Sequence, residues 1–282
     1  PDTSAIDTIL EPLSEQVLIT KPAPQKKRPV QKPKPAKAAP APPKATAPVP
    51  VPPAPGIVPP STEKPLPDRR SGFEMVNVPG GRFTMGSPKG DKDEYPHDVT
   101  INTFNIGKYE VTQADWKEIM GSNPAFYKGC DECPVESVSW NDIQAFIAKA
   151  GAIRGIRYRL PTEAEWEFAA RGGRQSQGFV YAGSNRAGPV AWNHGNTERP
   201  NRVGRKKPNE LGIHDMSGNV WEWCQNTYQP YPGGCKGKAS NDRVLRGGGW
   251  RNYDQICRAS NRNQENPGKR DYQNGFRLAR DQ

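Results

Sequence analysis

Two carboxylates seven residues apart, Asp215 and Glu222, flank a glycine in the string Asp215-Met216-Ser217-Gly218-Asn219-Val220-Trp221-Glu222. A hard cation such as calcium takes about six to eight oxygens, many of them backbone carbonyls, and a glycine lets a loop turn them inward. The plainer reading is that both acids cap turns and pair with nearby arginines. Sulfur chemistry is the second option. Cys130-Asp131-Glu132-Cys133 is a C-x-x-C before Pro134; with no second such pair it is a poor zinc site, and a local Cys130–Cys133 disulfide, suited to an oxidising compartment, is favoured. Cys224, Cys235 and Cys257 leave an odd count, so at least one thiol is free or pairs outside the chain. Cys224, directly after Trp223, reads as a buried, inert thiol. His97, His194 and His214 are too scattered for a metal triad. The segment 251–273 is dense in Arg, Asn, Gln, Asp and Tyr. It reads either as a solvated loop or as a ligand-facing surface with Arg251, Asn252, Tyr253, Arg262, Asn263 and Tyr272 as the contact candidates.

The elements that must position these groups begin at Phe73. All 7 Trp, 9 Tyr and 8 Phe lie at or after that residue. Residues 73–282 therefore read as one domain, and residues 1–72 as a disordered linker that cannot offset the entropy of ordering itself. Residues 1–20 hold four acids and no Lys or Arg, whereas Lys21–Pro67 holds 17 prolines among Ala, Lys and Val, an extended, polyproline-like spacer. Much of the net charge of +10 belongs to this basic stretch, so the charge does not point to a nucleic-acid groove. No run reaches the length of a transmembrane helix. The chain opens on Pro1 rather than Met, and the reading expects a signal, an anchor or a further domain upstream.

Within the domain, residues 73–86 and Val99–Tyr109 alternate as strands do. Three capping boxes open helices: Thr112 with Asp115, running to Met120; Ser139 with Asp142, running to Gly151; and Thr162 with Glu165, running to Gly172. Gly-, Asn- and Pro-rich loops and short strands follow. The fold class is α+β with an unusual share of irregular structure.

Seven strings carry a resemblance. They are Gly81–Ser87 (GRFTMGS), Tyr109–Thr112 (YEVT), Pro134–Trp140 (PVESVSW), Tyr158–Glu167 (YRLPTEAEWE), Gly218–Trp223 (GNVWEW), Arg246–Trp250 (RGGGW) and Gly275–Arg280 (GFRLAR). In this order they resemble the formylglycine-generating enzymes, or sulfatase-modifying factors. The resemblance implies that family's fold, a loop-rich variant of the C-type-lectin-like architecture, stabilised by structural calcium. It also implies calcium ligation through the side chains of Asp215 and Glu222 and the carbonyls of Gly218 and Val220. The family's activity, oxidation of a cysteine to formylglycine, uses two thiolates that hold copper, a task suited to soft sulfur ligands. Here the first thiolate position is Asn252, and the second falls near Asp254-Gln255 with no cysteine. Cys257 is nearby but alone. Copper and formylglycine formation are therefore not expected.

The reading that results is a bacterial family member, periplasmic or otherwise extracytoplasmic and tethered, that binds calcium and a peptide or small ligand in the family groove. Two alternatives stand beside it. One is an enzyme with altered oxidative chemistry, and the other is a display protein whose binding face is diversified by a retroelement.

Overall fold

A computed structural model describes residues 73–234 and 240–282; the expectations for the linker 1–72 and for Cys235 lie outside the described residues. Each capping box opens its helix as the spacing predicts. Helix α1 is Gln113–Met120, with the Thr112 hydroxyl accepting from Asp115 N and the Asp115 carboxylate accepting from Thr112 N. Helix α2 is Trp140–Arg154 behind Ser139, and α3 is Glu163–Ala170 behind Thr162. Two ends differ from expectation. Gly151 does not stop α2, which runs on to Gly155, where a φ of 65° closes it. A side chain at Gly151 would come within 3.1 Å of the Ile156 carbonyl, so that glycine serves a close chain crossing rather than a stop. Helix α3 ends at Ala170, two residues before Gly172.

The strand-like stretch 73–86 contains β1, Met75–Val78, and β2, Gly81–Met85. The stretch Val99–Tyr109 is not one strand but two, β3 at His97–Ile101 and β4 at Phe104–Gly107. The break lets one hairpin arm serve two sheets. Strand β3 pairs with β2, whereas β4 pairs antiparallel with β1 on one side and with β9, Ala279–Asp281, on the other. The third sheet has the order β7-β6-β5-β8, from β5 at Trp221–Thr227, β6 at Arg243–Arg246, β7 at Arg262–Glu265 and β8 at Asn274–Gly275. The segment 251–273 is thus not a single loop, because it contains β7 and a turn of 3-10 helix at Asp254–Cys257.

Two apolar clusters hold the layers. In one, Trp116 of α1 stacks on Phe146 of α2 at 5.0 Å between centroids, and Phe276 meets Phe146 edge-on at 5.3 Å. In the other, Trp166 and Phe168 of α3 pack with Ile106, Met216 and Val244. No α-helix or β-strand covers the chain between α3 and β5, so buried polar side chains tie that stretch down. Asn209 is an example: its Nδ2 donates to the Ala169 carbonyl at 2.7 Å, and its Oδ1 accepts from the backbone amides of Leu211 and Ile213. Such bonds satisfy backbone groups that a regular ladder would otherwise satisfy.

Candidate functional site

Strand β5 opens at the end of the acidic loop, and both carboxylates singled out in the sequence are buried there. Gly218 and Asn219 hold φ values of 77° and 66°, and Asp215 holds 59°. The turn at Gly218 needs glycine, since a Cβ there would lie 2.2 Å from the Trp192 carbonyl oxygen. Asp215 Oδ2 accepts from Gly204 N at 2.7 Å, while its Oδ1 is buried with no hydrogen-bond partner. Glu222 is engaged on both oxygens: Arg277 Nη2 donates to Oε1, and Arg277 Nε and Trp166 Nε1 both donate to Oε2, each at 2.6 Å. A third buried acid, Glu110, accepts from Asn219 Nδ2 and from Val220 N, fixing the backbone between the two expected carbonyl ligands.

Three buried carboxylates around one guanidinium leave the loop short of positive charge. Burial pushes the Asp215 carboxyl up to about 6. Burial, reinforced by the charges of Asp215 and Glu222, pushes Glu110 well up. A cation would relieve both. The orphaned Asp215 Oδ1 is the kind of oxygen a hard ion takes, whereas both Glu222 oxygens already accept hydrogen bonds from this chain. Among the described residues no three His, Cys, Asp or Glu side chains converge as metal ligands, so an ion here would draw its remaining oxygens from carbonyls and water.

The sulfur groups are arranged differently. Cys130 and Cys133 are joined in a disulfide between α1 and α2. Cys224 and Cys257 are free, buried, and placed in separate apolar clusters. Burial, with the Asp254 charge, pushes the Cys257 thiol up to about 12, and burial raises Cys224 as well. Neither is a thiolate at neutral pH. Asn252 closes a turn: its Oδ1 accepts from Gly249 N at 2.8 Å, its own N–H donates to Gly249 O at 2.9 Å, and its carbonyl takes the His194 N–H.

Beside this turn lies an aromatic cluster in which Trp250 is buried, Tyr127 and Tyr272 are half-buried and Phe126 is exposed. Trp250 and Tyr272 sit 6.1 Å apart, Tyr127 meets Trp250 edge-on at 5.4 Å, and Phe126, 68% exposed, lies 5.6 Å from Tyr272. Arg251 donates to the Tyr272 hydroxyl and lies 5.7 Å from both the Trp250 and Tyr272 ring centroids. The backbone of Tyr127 is held from beneath, with Glu136 Oε1 accepting its N–H at 2.8 Å and Gln113 Nε2 donating to its carbonyl at 2.9 Å.

Of the six candidate contact residues, the structure brings Arg251 and Tyr272 together and makes Asn252 the support of the adjoining turn. Tyr253 is 61% exposed and rests on His194. Arg262 is not surface-facing. It is buried, bonded twice to Glu163, and stacked on Tyr231 at 3.8 Å. Asn263 stands exposed on β7, bonded to its own neighbour Gln264. Phe126 and Tyr127 carry no signal in the sequence that would link them to residue 250, and Glu110 is likewise silent.

Residues 61–282 match the Sulfatase-modifying factor enzyme 1-like domain, and the chain belongs to that family. Its fold is the formylglycine-generating-enzyme variant of the C-type-lectin-like architecture, as the seven strings imply. It is 36% identical over 231 residues to "Chaperone protein LppX" of Paenibacillus barcinonensis, covering 63% of this chain and 78% of that protein. It is 33% identical over 243 residues to "Inactive C-alpha-formylglycine-generating enzyme 2" of Mus musculus, covering 62% and 74%. Among solved structures, Treponema denticola variable protein 1 superposes with a TM-score of 0.69 at 29% identity, over 74% of this chain and 95% of that one.

Proposed function

We propose that this domain is a family member that recognises a peptide or small ligand, holds calcium as a structural ion, and lacks the copper-dependent oxidation of cysteine. The observation that carries the reading is the turn at Gly249 and Asn252. An amide side chain closes it where the resemblance puts a copper thiolate, and it borders a patch where Phe126 is exposed and Tyr272 half-buried beside the buried Trp250. Cys257, the nearest thiol in sequence, is buried and protonated, so it is not poised to bind copper. Asp215 and Glu222, with the Gly218 and Val220 carbonyls, would hold calcium; the ion would supply the charge that the buried acids lack and would rigidify the loop leading into β5. The Cys130–Cys133 bond supports an oxidising, extracytoplasmic location.

Two assays test the reading. Incubation with copper(I), oxygen and a cysteine peptide is expected to give no aldehyde by hydrazide labelling. A peptide-array screen is expected to find ligands whose binding falls on Phe126→Ala. Aldehyde formation that Cys257→Ser abolishes would establish the altered-enzyme reading instead. The likeness to a variable protein favours a second reading, a display protein with a diversified face. Sibling genes that differ mainly at Phe126, Arg251, Tyr253 and Tyr272 would support it.

A further inference from the structure

We propose that Arg251 makes the surface it shares with Tyr272 and Phe126 a receptor for a carboxylate on an acidic peptide partner, an inference that rests on the ligand-binding reading above and names its ligand class. The arginines of the C-terminal third are otherwise largely committed. Arg246, Arg258, Arg262, Arg270 and Arg277 each end on a carboxylate of this chain, and Arg243 lies over Trp140 and donates to a backbone carbonyl. Arg251 is exposed, and among the described residues it meets no carboxylate. Its protein partners are the Tyr272 hydroxyl and the two flanking rings. The nearby acids do not supply one: Glu136 accepts from Tyr127 N and Ser137 Oγ, and Asp271 Oδ1 accepts from Gln273 N.

A guanidinium bonded to the Tyr272 hydroxyl and lying beside the Trp250 and Tyr272 rings gives up rotamer freedom before any ligand arrives, and its remaining donors form the planar fork that matches a carboxylate. An exposed arginine alone holds a free anion weakly in water. Phe126 on the same rim adds an apolar contact that excludes water from the pair. A bare anion makes no use of that contact, whereas a peptide with an apolar residue beside its acid does. Exposed aromatic and Arg side chains in one patch are the residue types that dominate protein recognition.

The test uses three fluorescein-labelled peptides of identical length, one alternating glutamate with leucine, one with glutamine in place of glutamate, and one with lysine. Binding to the full chain is read by anisotropy. The glutamate peptide is expected to bind about tenfold tighter than its glutamine counterpart, the strength of one charge-assisted hydrogen-bonded pair, and the lysine peptide more weakly than either. Arg251→Gln should erase the glutamate preference, Arg251→Lys should keep part of it, and Phe126→Ala should weaken the glutamate and glutamine peptides alike. Circular dichroism confirms that the variants fold. Equal binding of the glutamate and glutamine peptides to the unaltered chain, with loss on Phe126→Ala, overturns the carboxylate proposal and leaves the ligand surface standing. Retention of the preference in Arg251→Gln also overturns it. Failure of every peptide to bind overturns both.

Discussion

Arg277 and Glu222 form a fully buried, two-pronged ion pair that joins the string Gly275–Arg280 to the first residues of β5. The same guanidinium also donates to the carbonyls of Gly107 and His214. Four segments therefore meet at one side chain. Removing it would leave Glu222 buried beside Asp215 and Glu110 without its ion-pair partner. Arg277→Met is expected to cost about 3–5 kcal/mol, the usual penalty for an orphaned buried charge, measured by urea denaturation. A loss under 1 kcal/mol would mean that the pair is not what secures this junction.

The calcium proposal has its own readout. With calcium in large excess, the melting temperature is expected to rise over that in chelator, equivalent to about 2.7 kcal/mol at a hundredfold excess over Kd. Asp215→Asn should abolish that rise, because it removes the charge on the orphaned oxygen. Identical melting curves with and without calcium would dismiss the ion.

Acid stability should report on Glu94. Burial alone would raise its carboxyl, but the Arg258 guanidinium, bonded to both oxygens at 2.7 Å, outweighs burial and holds the group below the ordinary glutamate range. A depressed carboxylate contributes stability that is present above its unfolded pKa and is lost as pH falls through the folded value. Glu94→Gln is expected to lower stability by about 1–3 kcal/mol at neutral pH and to flatten the acid limb of the stability curve. An unchanged limb would show that the pair contributes nothing to it.

Thiol mapping should separate the two free cysteines of the described residues from reactive ones. Cys224 and Cys257 are expected to resist iodoacetamide in the native protein at pH 7.5 and to react at once in denaturant, scored by peptide mass spectrometry. Native labelling of Cys257 would contradict its burial and reopen sulfur chemistry at this site.

Thr162 closes a capping box with Glu165, and that glutamate also holds Arg159. Thr162→Ala is expected to cost about 1 kcal/mol, read as a lower urea midpoint at unchanged slope.

Local chemistry was legible in the sequence wherever cause and effect lie within a few residues. The three capping boxes gave three helices, because each partner sits three positions from its cap. The C-x-x-C gave its disulfide for the same reason. Distant pairing was not legible. Arg262 looked like a surface contact because its segment is polar, yet its carboxylate, Glu163, lies 99 residues earlier. Phe126 and Tyr127 reach Tyr272 only through the packing that brings the loop after α1 against the C-terminal third. The acidic loop lay between these cases. Asp215 and Glu222 were visible as a pair, whereas Glu110, which steadies the backbone between them, was hidden 105 positions before Asp215.

The sheet β1-β4-β9 has a mechanical meaning. Both outer strands run antiparallel to β4, with Met75 entering opposite Gly107 and Asp281 leaving opposite Phe104. A pull on the two ends of the domain therefore drags β1 and β9 in opposite directions along β4, loading the rungs of both ladders together rather than one after another. In force spectroscopy, a stretch between residues 73 and 282 is expected to rupture at a higher force than one between residues 75 and 107, which would peel β1 away rung by rung.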